Sequence, residues 1–225
     1  MIIALNNKSN LEKNEFINYL NELKNIQTSS TLILCPTYLN IPLVNTDILL
    51  GSQNVSKNDN GAYTGEISAT QLKQFNVKYS IVGHSERRQY QKETNEDIKE
   101  KIDKLLENGI TPILCIGESK EERENNTYKE VLKEELSILD TNSNVIIAYE
   151  PIWSIGTGII PTNEEITEVF TLIKSILPNN KVLYGGSANV DNIDTLKEID
   201  LIDGYLLGGL SLKPEKLQIF LDKLN

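Results

Sequence analysis

The sequence predicts an α/β fold, a single closed, eight-stranded parallel (β/α)8 barrel spanning residues 1–225. Three observations carry this. Short apolar, strand-like runs recur at 2–5, 31–35, 47–50, 79–82, 111–115, 145–149, 182–184 and 204–207. Amphipathic segments lie between them. Eight units share the chain at about 28 residues each, near the ~30 of a strand–helix–strand repeat. Strands alternating with helices require parallel pairing, and eight such units without an obvious edge strand close on themselves.

The elements follow in order. The run 2–5 is a buried strand that gives way to Asn6-Asn7-Lys8. After 31–35 and 47–50 comes a long polar stretch, 53–65. The run 79–82 ends in Gly83-His84, and Ser85-Glu86-Arg87-Arg88 reads as a capped helix start. Segment 95–108 is amphipathic, with Ile98, Ile102, Leu105 and Leu106 on one helical face. The run 145–149 delivers Glu150 at its tip. A Pro- and Gly-punctuated loop then closes at Pro161, where Thr162-Asn163-Glu164-Glu165 starts a helix capped by Thr162 or Asn163. Runs 182–184 and 204–207 are followed by Gly185-Gly186-Ser187 and Gly208-Gly209. There is no linker, low-complexity tract or second domain.

Composition bounds the function. At 39% hydrophobic residues the chain is of ordinary globular type. Its formal net charge of −10 excludes a nucleic-acid binder, which must neutralise phosphates with Lys and Arg. That charge also repels an anionic substrate at long range, so a small phosphate ester would need local donors. No apolar run approaches the roughly 18 residues of a membrane span, and the first residues lack a basic leader. Cys35 and Cys115 lie in strand-like runs and read as buried free thiols, which fits a reducing, cytoplasmic setting.

Barrel geometry sharpens the reading, because active sites of such barrels lie at the C-terminal ends of the strands. Lys8, His84, Glu150 and the Gly185-Gly186-Ser187 turn all fall just past a strand. Glu150 is a candidate general base, although a strand-end carboxylate taken alone is as readily a solvated or ion-paired one. Pro151 fixes the next φ and Trp153 is placed to shield the carboxylate. His84, the lone histidine, has no second histidine for a His-based metal site. Its place at a helix start disfavours an imidazolium. Lys8, by position alone, is equally a surface lysine. Glu86 is also a first-turn acid stabilised by its helix dipole. Glycine pairs are turns before they are ligand sites. No Cys/His or Asp/Glu cluster has metal-ligand spacing, so no metal is expected.

The ordered set of motifs says more than any one. Asn6-Asn7-Lys8, Asn60-Gly61-Ala62-Tyr63-Thr64-Gly65-Glu66, Ile81-Val82-Gly83-His84-Ser85-Glu86-Arg87-Arg88, Cys115-Ile116-Gly117-Glu118, Ala148-Tyr149-Glu150-Pro151-Ile152-Trp153-Ser154-Ile155-Gly156-Thr157-Gly158, Tyr184-Gly185-Gly186-Ser187 and Gly204-Tyr205-Leu206-Leu207-Gly208-Gly209 resemble, end to end, the triosephosphate isomerase family. The resemblance implies a TIM barrel and interconversion of dihydroxyacetone phosphate and D-glyceraldehyde 3-phosphate, in glycolysis and gluconeogenesis, with no cofactor. It implies that Glu150 shuttles a proton between neighbouring carbons. Neutral His84 would donate to the substrate oxygens, a role for which this isomerase is itself a standard example. Lys8 would stabilise the enediolate and phosphate charges, Asn6 would assist by hydrogen bonding, and Glu86 would pair with the lysine. Gly156, Ser187, Gly208 and Gly209 would join Asn6 and Lys8 in holding phosphate. Pro151, Ile152, Trp153, Ser154, Ile155, Gly156, Thr157, Gly158, Ile159, Ile160 and Pro161 would form the lid. The family also implies a homodimer in which Thr64, at the tip of the long polar loop, enters the neighbouring subunit beside Asn6 and Glu86. Neither nucleic acid nor membrane is an expected partner.

Three departures from the family pattern stand out. Asn7 occupies a position that commonly carries Trp, which predicts altered packing rather than lost activity. Ile159-Ile160-Pro161 replaces a lid hinge that often reads Lys-Thr-Ala. Tyr184 resembles a tyrosine that latches the closed lid by accepting from the backbone N–H at the position of Pro161, and proline has none. The latch is therefore expected to be absent, with closure relying on Ser187 bonding the lid near Gly158. The chain is also trimmed before Cys35 and around 128–144, away from the barrel mouth. Two alternatives compete. One is another phosphate-binding barrel, as in tryptophan or thiamine biosynthesis, which would lack the combination of Lys8, His84 and a Glu150 lid. The other is a catalytically silent barrel with a binding or surface role, which loss of a catalytic residue would have signalled.

Overall fold

A computed structural model describes residues 1–155 and 159–224 of the chain. Its strands are β1 (Ile2–Asn6), β2 (Thr31–Cys35), β3 (Leu49–Ser52), β4 (Tyr79–Val82), β5 (Thr111–Ile116), β6 (Ile146–Tyr149), β7 (Val182–Tyr184) and β8 (Gly204–Leu207). All are parallel and pair in sequence order. The ring closes where β1 also pairs with β8, Ile2 lying opposite Gly204 and Leu5 opposite Leu207. The helices among the described residues are α1 (Lys13–Leu23), α2 (Ala69–Gln74), α3 (Ser85–Tyr90), α4 (Asn95–Glu107), α5 (Lys120–Glu124), α6 (Tyr128–Leu136), α7 (Asn163–Ile176), α8 (Ile193–Leu196) and α9 (Pro214–Leu224). The closed parallel barrel read from the sequence is the observed architecture.

Strand alternation explains why these runs are apolar throughout. Ala4, Ile33, Ile81, Ala148 and Leu206 fill the barrel interior, while Ile3, Leu5, Leu34, Val82 and Ile147 face the helices. A strand covered on both faces has no solvated side to carry polar residues. Cys35 and Cys115 belong to the inner layer and are free, buried thiols. Helix α4 buries Ile98, Ile102 and Leu105, with Leu106 only partly covered. Capping boxes start several helices; at α7 the cap is Thr162, whose hydroxyl accepts from Glu165 N–H at 3.2 Å while Glu165 accepts from Thr162 N–H at 2.8 Å.

Two features differ from the sequence reading. Strand β3 runs Leu49–Ser52 rather than 47–50. Thr46 turns the chain by accepting Ile48 N–H, and the pairing continues through Gly51 opposite Tyr79 and Ser52 opposite Ser80. Gly51 belongs in the strand because it packs on Cys35, where an added Cβ would sit 2.5 Å from the sulfur. Second, no α-helix joins β2 to β3, only a 3-10 segment at Tyr38–Leu43. Pro42 sits inside it and has no N–H to donate, which breaks the run of helical hydrogen bonds there. The thin cover leaves an outer groove of about 720 Å³ between Leu23, Ile26, Leu32 and Ile48, away from the barrel mouth.

Candidate active site

At the C-terminal ends of the strands a cavity of about 170 Å³ is bounded by Asn6, Lys8, His84, Glu150, the Gly185–Gly186–Ser187 turn and the Gly208–Gly209 turn. These residues arrive from the ends of β1, β4, β6, β7 and β8, so the barrel gathers positions far apart in sequence.

Lys8 sits two residues beyond β1 in the left-handed region, with φ of +51°. A lysine is held there only when its surroundings specify the conformation. Asn6 Oδ1 accepts Lys8 N–H at 3.0 Å, and Gln53 Nε2 donates to both Lys8 O (2.8 Å) and Cys35 O (2.9 Å). Lys8 Nζ lies 2.7 Å from Glu86 Oε1. The glutamate is half-exposed and the pair is weak on that account; an anionic oxygen entering the cavity would compete for the ammonium readily.

His84 caps α3 through its own ring. Nδ1 accepts Glu86 N–H at 3.2 Å, so that nitrogen carries no proton and the Nε2–H is the ring's donor. Nε2 lies 3.0 Å from Glu150 Oε1, and Glu150 Oε2 accepts Ser85 N–H at 3.2 Å. Burial opposes an imidazolium, but the Glu150 and Glu86 carboxylates outweigh it and raise the ring's pKa in this arrangement. A second proton, on Nδ1, would still displace the Glu86 amide. For Glu150 burial acts upward, and His84, Ser85 N–H and Lys8 overcome it, holding the carboxyl below its usual range. Two glycines make room for this carboxylate. A side chain at Gly117 would overlap the Glu150 carbonyl, and one at Gly185 would come within 2.9 Å of Glu150 Cγ.

The start of the segment after β6, the expected lid, is tethered. Ile152–Ser154 forms a 3-10 turn. Trp153 Nε1 donates to Glu118 Oε1 at 2.9 Å, and Tyr149 Oη donates to the same oxygen at 3.0 Å. Glu118 is fully buried, which raises its carboxyl pKa against the pull of these two donors and of Arg123. Ser187 Oγ donates to Ser154 O at 2.7 Å. The hydroxyls of Tyr184 and Ser154 are buried and, among the described residues, face one another. Gly156, Thr157 and Gly158 lie outside the described residues, and with them the expected phosphate contact of Gly156 and the expected Ser187 bond near Gly158. Ile159 and Ile160 are exposed.

Thr64 is exposed, away from the cavity, in a loop closed at its base by Ser56 N–H to Ile67 O at 2.8 Å. Lys57 to Asp97 (2.7 Å) and Lys104 to Asp59 (2.9 Å) pin that loop to α4. The polar stretch that reads as irregular is thus a shaped excursion. Sequence reasoning gave Gln53 and Glu118 no part in the site. Glu118 carried a signal, since it lies just past β5 as the other site residues lie past their strands; Gln53 carried none.

Carboxylate, imidazole and ammonium around a small cavity at the mouth of a parallel barrel define a class: acid–base enzymes acting on a small anion. A family model described as triosephosphate isomerase matches residues 1–224. Similar proteins include triosephosphate isomerase from Wolbachia sp. subsp. Brugia malayi (strain TRS), 40% identical over 94% of this chain and 92% of its own. That of Alkaliphilus oremlandii (strain OhILAs) is 39% identical over 96% of each chain, and that of Mycoplasmopsis pulmonis (strain UAB CTIP) 44% over 80% and 77%. The chain belongs to the triosephosphate isomerase family.

Proposed function

We propose that this chain, an isomerase by family, interconverts dihydroxyacetone phosphate and D-glyceraldehyde 3-phosphate, the triose-phosphate step of glycolysis and gluconeogenesis. The observation that carries the reading is the buried Glu150 carboxylate held against His84 Nε2 beside Lys8. Glu150 leaves His84 and Ser85 N–H, gains basicity as these stabilising partners are lost, and takes a proton from the carbon next to the carbonyl. His84 Nε2–H donates to the oxygen on which charge develops. Lys8 offsets the negative charge of the resulting enediolate, with Asn6 beside it and Glu86 holding the lysine between turnovers. Glu150 then returns the proton to the neighbouring carbon, while the hydroxyl proton passes from one oxygen to the other through His84 Nε2. One carbon is oxidised as the other is reduced, so the reaction balances without a redox cofactor or metal. Ser187, Gly208, Gly209 and Gly156 supply backbone N–H donors for the phosphate, the charge problem posed by a net −10 being solved locally.

The working unit is a homodimer of single-domain subunits, each covering residues 1–225. A groove of about 400 Å³ beside the cavity, between Lys8, Thr37, Tyr38, Glu86 and Tyr90, suits a partner's Thr64 loop. Leu39 and Tyr90, 89% and 68% exposed, support a covered face there. A cytoplasmic location agrees with the two buried free thiols; no helix among the described residues is long and apolar enough to cross a membrane.

A coupled assay of glyceraldehyde 3-phosphate conversion tests the reading. Rapid turnover is expected, falling about 10²- to 10⁴-fold in Glu150→Asp and His84→Gln. A folded, inactive wild type would instead make the chain a silent barrel.

A further inference from the structure

The geometry points to Asn7 as a positioning residue that fixes the phosphate-holding turn against Lys8; this rests on the function proposed above and adds a residue to it. Asn7 lies between Asn6 and Lys8 and is buried. Strand alternation sends Asn6 towards the barrel interior and Asn7 outward, beneath α1 and the 3-10 segment Gly209–Leu212. Its Nδ2 donates to Ser211 Oγ at 3.2 Å and lies 3.5 Å from Tyr19 Oη. Ser211 Oγ in turn donates to Asn6 O at 3.1 Å, and Ser211 N–H closes the turn on Gly208 O at 2.9 Å.

Proton direction in this chain of bonds is fixed. The Ser211 hydroxyl proton goes to Asn6 O, so its oxygen must accept, and the Asn7 amide donates. The result clasps the β1 end to the turn after β8, two segments roughly 200 residues apart. Both segments border the cavity through Asn6, Lys8, Gly208 and Gly209. The fit is close, since an added Cβ at Gly208 would lie 3.3 Å from Lys8 Cε. Sliding the turn by a few tenths of an ångström would therefore change how amide and ammonium share one phosphate. A tryptophan or leucine at position 7 can fill the space without aligning the two halves through a hydrogen bond.

The test uses Asn7→Leu, Ser211→Ala and the double variant, with inorganic phosphate as the probe. Each single variant is expected to weaken phosphate binding by calorimetry about three- to tenfold, the range for loss of one buried hydrogen bond. KM for glyceraldehyde 3-phosphate should rise in step, and turnover of phosphate-free glyceraldehyde should stay at the wild-type level. The double variant should be no worse than the more affected single. If Asn7→Leu does not fold, Ser211→Ala removes the same clasp and decides the matter. Unchanged phosphate binding in a folded variant, or equal losses on both substrates, overturns the inference. A wild type that binds phosphate but does not isomerise overturns the proposed function and leaves the clasp standing; a wild type that binds no phosphate overturns the clasp.

Discussion

At the scale of single residues, the protonation of buried carboxylates is set by their neighbours. Glu150 and Glu135 are both buried and shifted oppositely. Glu150 has an imidazole, an amide and an ammonium around it. Burial pushes Glu135 up to about 7, against the pull of Arg88 at 3.4 Å and of the Gly117 N–H it accepts at 2.8 Å. A carboxyl whose folded pKa exceeds its unfolded one favours the folded state when protonated, and that contribution disappears as pH rises through the folded value. Thermal stability should therefore fall between about pH 5 and pH 8 through this group. Glu135→Gln should flatten the slope of Tm against pH whatever its absolute Tm; an unchanged slope would remove Glu135 as its source. The residues of the site were legible in the sequence because chemistry-bearing types fall just past strands. Their mutual geometry was not. Nothing local marks Gln53 as the donor to Lys8 O, because that contact joins β1 and β3 ends that only the closed barrel makes neighbours.

At the scale of elements, the lid's first turn is held by hydrogen bonds of unequal worth. Ser187 bonds Ser154 O, whereas the buried Tyr184 hydroxyl meets the Ser154 side chain among the described residues, and Pro161 offers it no N–H. With no N–H at position 161 to receive, the Tyr184 hydroxyl adds little to closure of this segment. Tyr184→Phe should leave kcat within about twofold, whereas Ser187→Ala should lower kcat/KM by about 2- to 12-fold, the equivalent of one hydrogen bond. A severe Tyr184→Phe defect would restore the latch. Glu118 joins this turn to β6 by accepting from both Trp153 and Tyr149. Glu118→Ala leaves two donors without their acceptor, so destabilisation of roughly 1–3 kcal/mol is expected in chemical unfolding. Element positions were largely readable, since runs covered on both faces are unbroken apolar text. Strand β3 slipped by two residues because its second half is Gly51 and Ser52, which sterics and a Ser52–Ser80 hydroxyl bond of 2.8 Å place in the sheet, not hydrophobicity.

At the scale of the whole molecule, the proposed dimer makes a further claim. The Thr64 loop is already shaped by its ion pairs to α4, so its entry into a partner needs little ordering. Size-exclusion with light scattering should give twice the chain mass. Lys57→Ala with Lys104→Ala should raise the dimer dissociation constant, with salt weakening the wild type in the same direction. A fully active monomer would contradict the arrangement. The barrel followed from counting strands and helices, but the thin cover between β2 and β3 did not, because a proline's effect on a short helix depends on where the turn begins.

Closure of β1 on β8 has a consequence during synthesis. The first strand leaves the ribosome with one neighbour, β2, available early, and its other neighbour is made roughly 200 residues later, on the order of 10–40 s at 5–20 residues per second. Until then the nascent sheet is open, and Ile2 to Leu5 offer an unpaired apolar edge. Lys8 likewise waits for Gly208 and Ser211. A truncated chain therefore has neither a sealed sheet nor a complete cavity at the barrel mouth, and the last strand completes both in one event.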